Sequence, residues 1–140
     1  MAILNYTTTI PAHRTIGEIQ QLLAKKGARS ITIAYAADGA PIALAFELHT
    51  PTGVLVYRLP CRAEGVQRLL RSEAPRYRTP EHAQRVAWRI TKDWTEAQLA
   101  IVEAGMAELS EVMLPYMLVG EGQTMFERAR VQGLLATKAD

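Results

Sequence analysis

The sequence has a single cysteine, Cys61, and no long run of hydrophobic residues. One cysteine cannot form an intramolecular disulfide, and this usage is typical of a reducing compartment. Nowhere do about 18 apolar residues follow one another, and the segment Met1 to Tyr6 has neither the basic start nor the apolar core of a secretion signal. The sequence therefore predicts a cytoplasmic protein that does not span a membrane.

The motifs of the common catalytic and metal sites are also missing. No glycine-rich stretch fits the G-x-G-x-x-G pattern or the phosphate loop of nucleotide hydrolases. Three histidines lie far apart, without a partner four residues away and without a cysteine pair: His13, His49 and His82. This scatter is typical of structural or solvated histidines rather than of zinc ligands.

Two further catalytic hypotheses rest on Cys61 and on pairs of carboxylates. Cys61 could act as a nucleophile with a distant histidine, but a cysteine that follows a proline at a strand end is typical of a buried side chain. Asp93 and Glu96, or Glu108 and Glu111, lie three residues apart as acid and base pairs can, but solvated helix faces show the same spacing. The sequence thus predicts no enzyme, no metal and no cofactor, and it favours binding over catalysis.

The length of 140 residues, with 49% hydrophobic and 21% charged, is typical of one globular domain spanning residues 1–140. β-branched residues at 3–10 predict a first strand, and Thr15 to Glu18 match a capping box that starts a helix at about 16–26. Alternating patterns then predict an antiparallel meander of three strands, at about 29–35, 42–48 and 54–59.

The second half of the chain reads as mainly helical. A short helix is predicted at about 63–72, and an exposed loop at 73–79 could close over a ligand. Thr79, Pro80 and Glu81 predict the start of a long helix to about Gly105. The remaining elements are a short helix or turn at 109–118, a flexible connection at 120–122, a helix at about 124–135 and a fraying tail at 136–140. The predicted fold class is α+β, a small antiparallel sheet packed against one long and several short helices.

The long helix carries two apolar stripes. One repeats at alternating spacings of four and three residues: Ala83, Ala87, Ile90, Trp94, Ala97, Ile101 and Ala104. The other consists of Trp88, Leu99, Val102 and Met106. The first rhythm is that of helices that pack closely against each other. Either a second subunit covers one of the two faces, or both faces pack within one chain, and the sequence fits both interpretations.

Positive charge is concentrated in one stretch, although the formal net charge is only +2. Nine of the 16 Lys and Arg residues lie between Arg58 and Lys92, whereas residues 93–119 contain five acids and no Lys or Arg. The net charge is too small to indicate a nucleic-acid-binding protein. The basic stretch is therefore a candidate site for a small anion.

Within this stretch, Arg85, Arg89 and Lys92 are spaced so that they lie along one edge of the long helix, with Trp88 close by. Guanidinium groups match the geometry of phosphate oxygens, and an indole can stack on a base. The row therefore predicts a nucleotide pocket. The alternative is a row that only solubilises the helix and pairs with its own glutamates.

Several segments resemble small phage proteins of the Thoeris anti-defence family, over most of the chain. They are Asn5 to Ile10, Thr15 to Gln20, Gly27 to Arg29, Arg85 to Trp94 and Leu114 to Tyr116. The resemblance implies a sponge, which binds a cyclic ADP-ribose isomer made by the host immune system and holds it uncleaved. Some members are similar in also binding cyclic oligonucleotides, at separate sites made by higher oligomers. It further implies a homo-oligomer, from a dimer up to a hexamer, in the host cell cytoplasm.

The resemblance also indicates which residues contact the ligand. Arg29 matches an arginine that binds ligand phosphates, and Tyr77 lies in a loop where an aromatic ring could stack on adenine. With the helix motif, the predicted ligand-binding residues are Arg29, Tyr77, Arg85, Trp88, Arg89 and Lys92. The alternative function is a phage accessory protein that binds nucleic acid or a protein partner through the same basic surface.

Overall fold

Five helices and two antiparallel sheets make up the part of the chain that the computed structural model describes, residues 2 to 135. The helices are α1 (Ala12–Lys25), α2 (Glu64–Leu69), α3 (Pro80–Glu103), α4 (Leu109–Val112) and α5 (Met125–Val131). The strands are β1 (Ser30–Tyr35), β2 (Pro41–Thr50), β3 (Gly53–Pro60), β4 (Leu118–Gly120) and β5 (Gln123–Thr124). The predicted α+β fold class is confirmed.

The larger sheet is an antiparallel meander in the order β1-β2-β3, as the alternating pattern predicted. Its register places Ile33 opposite Leu44 and Phe46 opposite Tyr57. The rings of Phe46 and Tyr57 stack with their centroids 5.2 Å apart, on the face that forms the core. Successive strand residues point to opposite faces, so Val54 lies on the other face, where it is 52% exposed.

The core forms where this sheet face meets α1 and α3. Ile19 and Leu23 of α1 and Trp88 of α3 have almost no exposed surface and belong to one hydrophobic cluster with the sheet residues. The indole nitrogen of Trp88 donates a hydrogen bond to the carbonyl oxygen of Pro41 at 3.2 Å. The polar edge of the ring is thus satisfied while its apolar body is buried.

The first strand predicted at residues 3–10 is wrong. This segment forms a turn in which Asn5 has a φ of 66° and the amide of Thr8 donates to the carbonyl of Asn5 at 3.0 Å. The side-chain amide of Asn5 donates to the carboxylate of Asp93 at 2.8 Å, which fixes the turn to α3. β-branched residues suit any half-buried surface, and here α3 rather than a neighbouring strand provides it.

The predicted start of α1 is also wrong, since the helix begins at Ala12 with Pro11 as its N-cap. Thr15 lies inside the helix and is completely buried, and its hydroxyl accepts a hydrogen bond from Arg89 at 3.3 Å. Glu18 pairs with the same arginine at 3.0 Å. The capping box at Thr15 and Glu18 does not form because both side chains bind a partner on α3.

The predicted start of α3 is confirmed. The hydroxyl of Thr79 accepts a hydrogen bond from the amide of His82 at 3.1 Å, and Pro80 is the first helical residue. The second capping box is confirmed as well, because Thr124 and Glu127 bind each other's backbone amides at the start of α5.

One element was missed by the sequence patterns. Of residues 120–122, predicted as a flexible connection, Gly120 ends β4 and pairs with Gln123, while residues 121 and 122 form the turn to β5; all three residues have positive φ. The tail at 136–140, for which fraying is predicted, lies outside the described residues.

The apolar stripes of α3 begin inside the chain and end on its surface. Ala83 and Ala87 are buried, whereas Ala97 and Ala104 of the same stripe are exposed. Met106, which continues the second stripe, is 71% exposed. Packing within the chain therefore accounts for the first half of α3 but not for its end. In the described part of the chain no helix, α3 included, is both long and apolar enough to cross a membrane.

Candidate functional site

Arg85, Arg89 and Lys92, which the sequence predicts as one basic row, have different partners in the structure. Arg89 points to α1, where its guanidinium lies 3.0 Å from the carboxylate of Glu18, and only 14% of its side chain is exposed. Lys92 lies 3.3 Å from the carboxylate of Glu96 on its own helix. Both side chains are thus paired with a carboxylate. For Lys92 this matches the alternative interpretation, in which the row pairs with glutamates of its own helix, whereas Arg89 connects α3 to α1.

Two other predicted residues also stand apart. Trp88 has no exposed surface, so its ring is part of the core. Arg29 is exposed at the entry to β1, where its amide donates to the carbonyl of Glu47 at 2.9 Å, and its side chain lines none of the cavities described below.

Tyr77 and Arg85 do lie together. They line a cleft of about 270 Å³ with residues 7–9, Arg76 and His82, which we call the Arg85 cleft. The cleft forms where the N-terminal turn crosses the start of α3, so the misassigned first strand supplies its threonine hydroxyls. Among the described residues that line it, there are two guanidinium groups and no carboxylate.

The aromatic rings of the Arg85 cleft form a packed layer. The ring of Tyr77 meets that of Tyr6 edge-on, with centroids 5.4 Å apart, and lies 5.2 Å from the ring of His82. The guanidinium carbon of Arg76 lies 4.6 Å from the centroid of Tyr77, within the range of a cation–π interaction. The rings are inclined to one another, by 75° between Tyr6 and Tyr77 and by 39° between Tyr77 and His82, and the guanidinium of Arg76 lies over the Tyr77 ring.

Arg85 is held at one end only. Its terminal nitrogen lies 3.2 Å from Nδ1 of His82, while Nε2 of His82 is hydrogen-bonded to the carbonyl oxygen of Tyr6. Because a carbonyl can only accept, Nε2 carries the proton and Nδ1 accepts from Arg85. The Nε of Arg85 is buried without a hydrogen-bond partner among the described residues. Arg85 therefore retains unused donor capacity beside the cleft.

A larger hollow of about 510 Å³ lies on the other side of Arg85, where the first residues of α1, α2 and α3 meet. It is lined by three carboxylates, those of Asp38, Glu64 and Glu81. These charges oppose the binding of an anion, so size alone does not make this hollow the ligand site.

A third cavity, of about 460 Å³, lies at the end of β3. Arg58, Arg62 and Arg130 line it together with the rings of Tyr116 and Phe126. We call it the Arg58 cavity. Two of its arginines belong to the basic stretch of the sequence, but the third comes from α5, and only the fold brings them together.

Cys61 is buried at the same end of β3. Burial raises the pKa of its thiol from 9.0 to about 11, while the hydroxyl of Thr91, 3.5 Å from the sulfur, acts in the opposite direction. The thiolate, which is the nucleophilic form, is therefore disfavoured at neutral pH. Among residues 2 to 135, no group of three or more His, Cys, Asp or Glu side chains is placed to hold a metal ion.

Sequence patterns missed residues 7–9, Arg76 and His82 as parts of the Arg85 cleft. Arg76 could have been noticed because it adjoins Tyr77 in the predicted loop. The threonines and His82 gave no such signal, because their positions depend on how the N-terminal turn crosses α3. Comparisons with family models, with curated proteins and with solved structures gave no significant match to this chain.

Proposed function

We propose that this protein is an anti-defence sponge that binds a small cyclic nucleotide signal, such as a cyclic ADP-ribose isomer or a cyclic oligonucleotide, and holds it uncleaved. The observation that carries the proposal is the Arg85 cleft. It combines two guanidinium groups, an aromatic layer and threonine hydroxyls without an opposing carboxylate among its described lining residues. These are the groups that phosphates, a base and ribose hydroxyls require.

Arg85 is suited to the phosphates. Its side chain lines the cleft and makes one hydrogen bond among the described residues, to His82, so terminal donors of the guanidinium can serve an anion. Arg76 also lines the cleft, where it is exposed and stacked on Tyr77, so it can meet a second phosphate oxygen. A guanidinium bound to a phosphate makes two parallel hydrogen bonds, which favours phosphate over a single halide ion.

The size of the cleft supports an oligomer. At about 270 Å³ it is smaller than the roughly 300 to 1,000 Å³ of typical small-molecule pockets. One chain therefore offers room for the phosphates and one ring, and a second copy of the chain would enclose the rest of the ligand. We propose a dimer or a higher homo-oligomer on this ground.

The chemistry of the lining supports retention rather than cleavage. Guanidinium, hydroxyl and phenol groups bind phosphates at neutral pH without attacking them. His82 carries the imidazole that could act as a general base in the cleft, but both of its ring nitrogens are hydrogen-bonded, one to Tyr6 and the other to Arg85. A general base must lie within hydrogen-bonding distance of the proton that it removes, and both nitrogens of His82 are already occupied by other partners.

The test is titration calorimetry with a cyclic ADP-ribose isomer, on the parent, on Arg85→Gln and on Arg71→Gln. Arg71 is an exposed arginine outside the cleft, so Arg71→Gln is the matched loss of charge. A charge-assisted hydrogen bond contributes roughly 1.5 to 3 kcal/mol, so we expect Arg85→Gln to weaken binding about 10- to 100-fold and Arg71→Gln to leave it unchanged. Heating the complex should release intact ligand.

Two outcomes would remove the proposal. Equal affinities of the parent and Arg85→Gln would place the ligand elsewhere, and a linear product formed with turnover would make the protein an enzyme. The alternative of a nucleic-acid binder predicts affinity that falls steeply with salt, because several counterions are released from the nucleic acid. The pairing of Arg89 and Lys92 with carboxylates counts against it, since the row that would contact a phosphate backbone is already neutralised.

A further inference from the structure

The Arg58 cavity is built by parts of the chain that are distant in sequence. Arg58 and Pro60 come from β3, Tyr116 from the 3-10 turn before β4, and Phe126 and Arg130 from α5. The β4–β5 hairpin carries α5 to this place, and the capping box of Thr124 and Glu127 fixes where the helix begins. The C-terminal elements therefore form one wall of the cavity.

Two of its arginines are held in place by neighbours. The guanidinium of Arg58 lies 3.1 Å from the carboxylate of Glu127, and that carboxylate is itself anchored by the backbone amide of Thr124 at 2.8 Å. The guanidinium carbon of Arg130 lies 4.8 Å from the ring centroid of Phe126. Orienting arginines before a ligand arrives lowers the entropy that binding must remove.

The third arginine, Arg62, is exposed and makes no hydrogen bond or ion pair with the described residues. The backbone amide of Thr124 does most to lower the pKa of the Glu127 carboxyl, and the charges of Arg58 and then of Arg62 act in the same direction. Three guanidinium groups face one carboxylate here, so positive charge is in excess. Arg62 and Arg130, which supply the excess positive charge, are exposed at the rim, where an acid group could bind them and remain partly hydrated.

The walls of the cavity are apolar and flat. Pro60, Pro115, Tyr116 and Phe126 line it, and Tyr116 is braced by the ring of Trp94, which meets it edge-on with centroids 5.5 Å apart. Flat apolar walls suit a planar ring, and rings that stack on aromatic side chains gain roughly 1 to 3 kcal/mol each. The volume of about 460 Å³ falls within the usual range for small-molecule sites.

We propose that the Arg58 cavity is a binding site for a small planar ring that carries an acid group, either a phosphate or a carboxylate. The ring lies between Tyr116, Phe126 and the prolines, and the acid group lies on the rim, between Arg62 and Arg130. This site is separate from the Arg85 cleft and does not depend on the function proposed there, because the two share no lining residue.

The experiment uses the whole protein and probes of known structure. Adenosine monophosphate represents a ring with a phosphate, indole-3-acetate a ring with a carboxylate, and adenosine and indole are their uncharged counterparts. Binding is measured by calorimetry, and the backbone amides of residues 116 and 126 are followed by NMR. We expect at least one ring acid to bind about 10-fold or more tightly than its uncharged counterpart and to shift both amides.

The variants locate the acid group. Arg62→Gln should weaken the bound ring acid about 10-fold or more while the protein melts normally, since Arg62 is exposed. Arg85→Gln should leave this binding unchanged although it weakens the cyclic nucleotide, which separates this proposal from the proposed function. Comparison of the two ring acids tells which source of negative charge the cavity prefers.

Three results would overturn the proposal. The ring acids could bind no better than adenosine and indole, no probe could bind at millimolar concentration, or Arg85→Gln could weaken the ring acid as much as Arg62→Gln does. Inorganic phosphate that binds as tightly as adenosine monophosphate would also contradict it, because the ring would then contribute nothing.

Discussion

At the scale of single residues, three arginines of the same basic stretch have different surroundings. Arg89 is enclosed between α1 and α3 and paired, Arg85 is held by one nitrogen and keeps unused donors, and Arg62 is exposed without a partner among the described residues. One basic stretch of the sequence therefore contains both paired and unpaired arginines, and only their neighbours in the fold distinguish them.

Arg89 provides the first prediction. The sequence predicts Arg89 as a ligand-binding residue, but its hydrogen bonds to Glu18 and Thr15 indicate a role in stability. We expect Arg89→Met to lower the free energy of unfolding by roughly 1 to 2 kcal/mol, because hydrogen bonds to charged, partly buried groups are lost. Urea unfolding measures it, and a double-mutant cycle with Glu18→Gln should give a coupling of about 1 kcal/mol.

The control for Arg89 is Lys92→Met, which breaks a pair within a single helix, in which Lys92 is 14% exposed but its partner Glu96 is 56% exposed. Such pairs contribute only about 0.3 to 0.5 kcal/mol. If both variants cost the same, or if the cycle shows no coupling between Arg89 and Glu18, the pair between the two helices does not stabilise the fold.

Cys61 provides a prediction on pH. Its folded pKa of about 11 lies above the 9.0 of the exposed thiol, so the unfolded chain loses this proton first as the pH rises. The contribution to stability is complete below pH 9 and is lost between pH 9 and 11. Over that window we expect the free energy of unfolding to fall by about 2 kcal/mol more in the parent than in Cys61→Ala, at 1.36 kcal/mol for each pH unit.

The comparison with Cys61→Ala is needed because burial also raises the pKa of Tyr57, which acts in the same direction in both proteins and cancels in the difference. Urea unfolding at several values between pH 8 and 11 gives the two curves. Parallel curves would contradict the prediction, as would rapid reaction of the native thiol with a thiol reagent at pH 8.

At the scale of helices and strands, the sequence pattern was sufficient to predict an element where its residues bind neighbours that are close in the chain. The three strands of the meander and the start of α3 follow from residue alternation and from the cap at Thr79, and both were predicted. The segment 3–10 and the start of α1 could not be predicted in this way, because Asn5 and Thr15 bind partners more than 70 residues away on α3.

The candidate site was predictable to a smaller extent. Tyr77 and Arg85 were chosen from the sequence and do share a cleft, but the residues that complete it come from the N-terminal turn. Arg58 and Arg62 belong to the basic stretch that was predicted to bind an anion, but the Arg58 cavity itself was not predicted, since Arg130 lies beyond that stretch and reaches the cavity only through the β4–β5 hairpin. Contacts between distant segments leave no periodic pattern for a single sequence to show.

The cap of α3 provides a prediction at this scale. Thr79→Ala removes the acceptor for the amide of His82, and loss of such a cap costs about 1 kcal/mol, with a range of roughly 0.5 to 2. Because His82 also orients Arg85, nucleotide affinity should fall slightly along with stability. Thermal unfolding followed by circular dichroism measures the loss, and Ser110→Ala on the exposed surface of α4 is the matched removal of a hydroxyl. Equal melting temperatures of Thr79→Ala and Ser110→Ala would contradict a stabilising role of the Thr79 cap.

At the scale of the whole molecule, large apolar side chains are exposed at several places among the described residues, including Leu69, Val131 and Leu134. Two further places bear on a contact between copies of the chain. One is the outer face of the meander, where Val54 is 52% exposed, and the other is the end of α3, where Ala97, Ala104 and Met106 are exposed. Here Ala97 and Ala104 belong to the stripe whose first residues, Ala83 and Ala87, are buried inside the chain, so the heptad spacing continues onto exposed surface. It is therefore where we expect a second copy to bind.

The last prediction is that the protein is at least a dimer at tens of micromolar, through contacts of α3 near Ala97. Small residues at this spacing let two helices approach closely, and a two-fold contact would place each copy's stripe on the other. Multi-angle light scattering measures the mass. Ala97→Glu places a charge in the contact and should give a monomer, whereas Val54→Glu places the same charge on the sheet and should leave the mass unchanged. The reverse pattern would move the contact to the sheet, and a monomeric parent at this concentration would exclude the dimer.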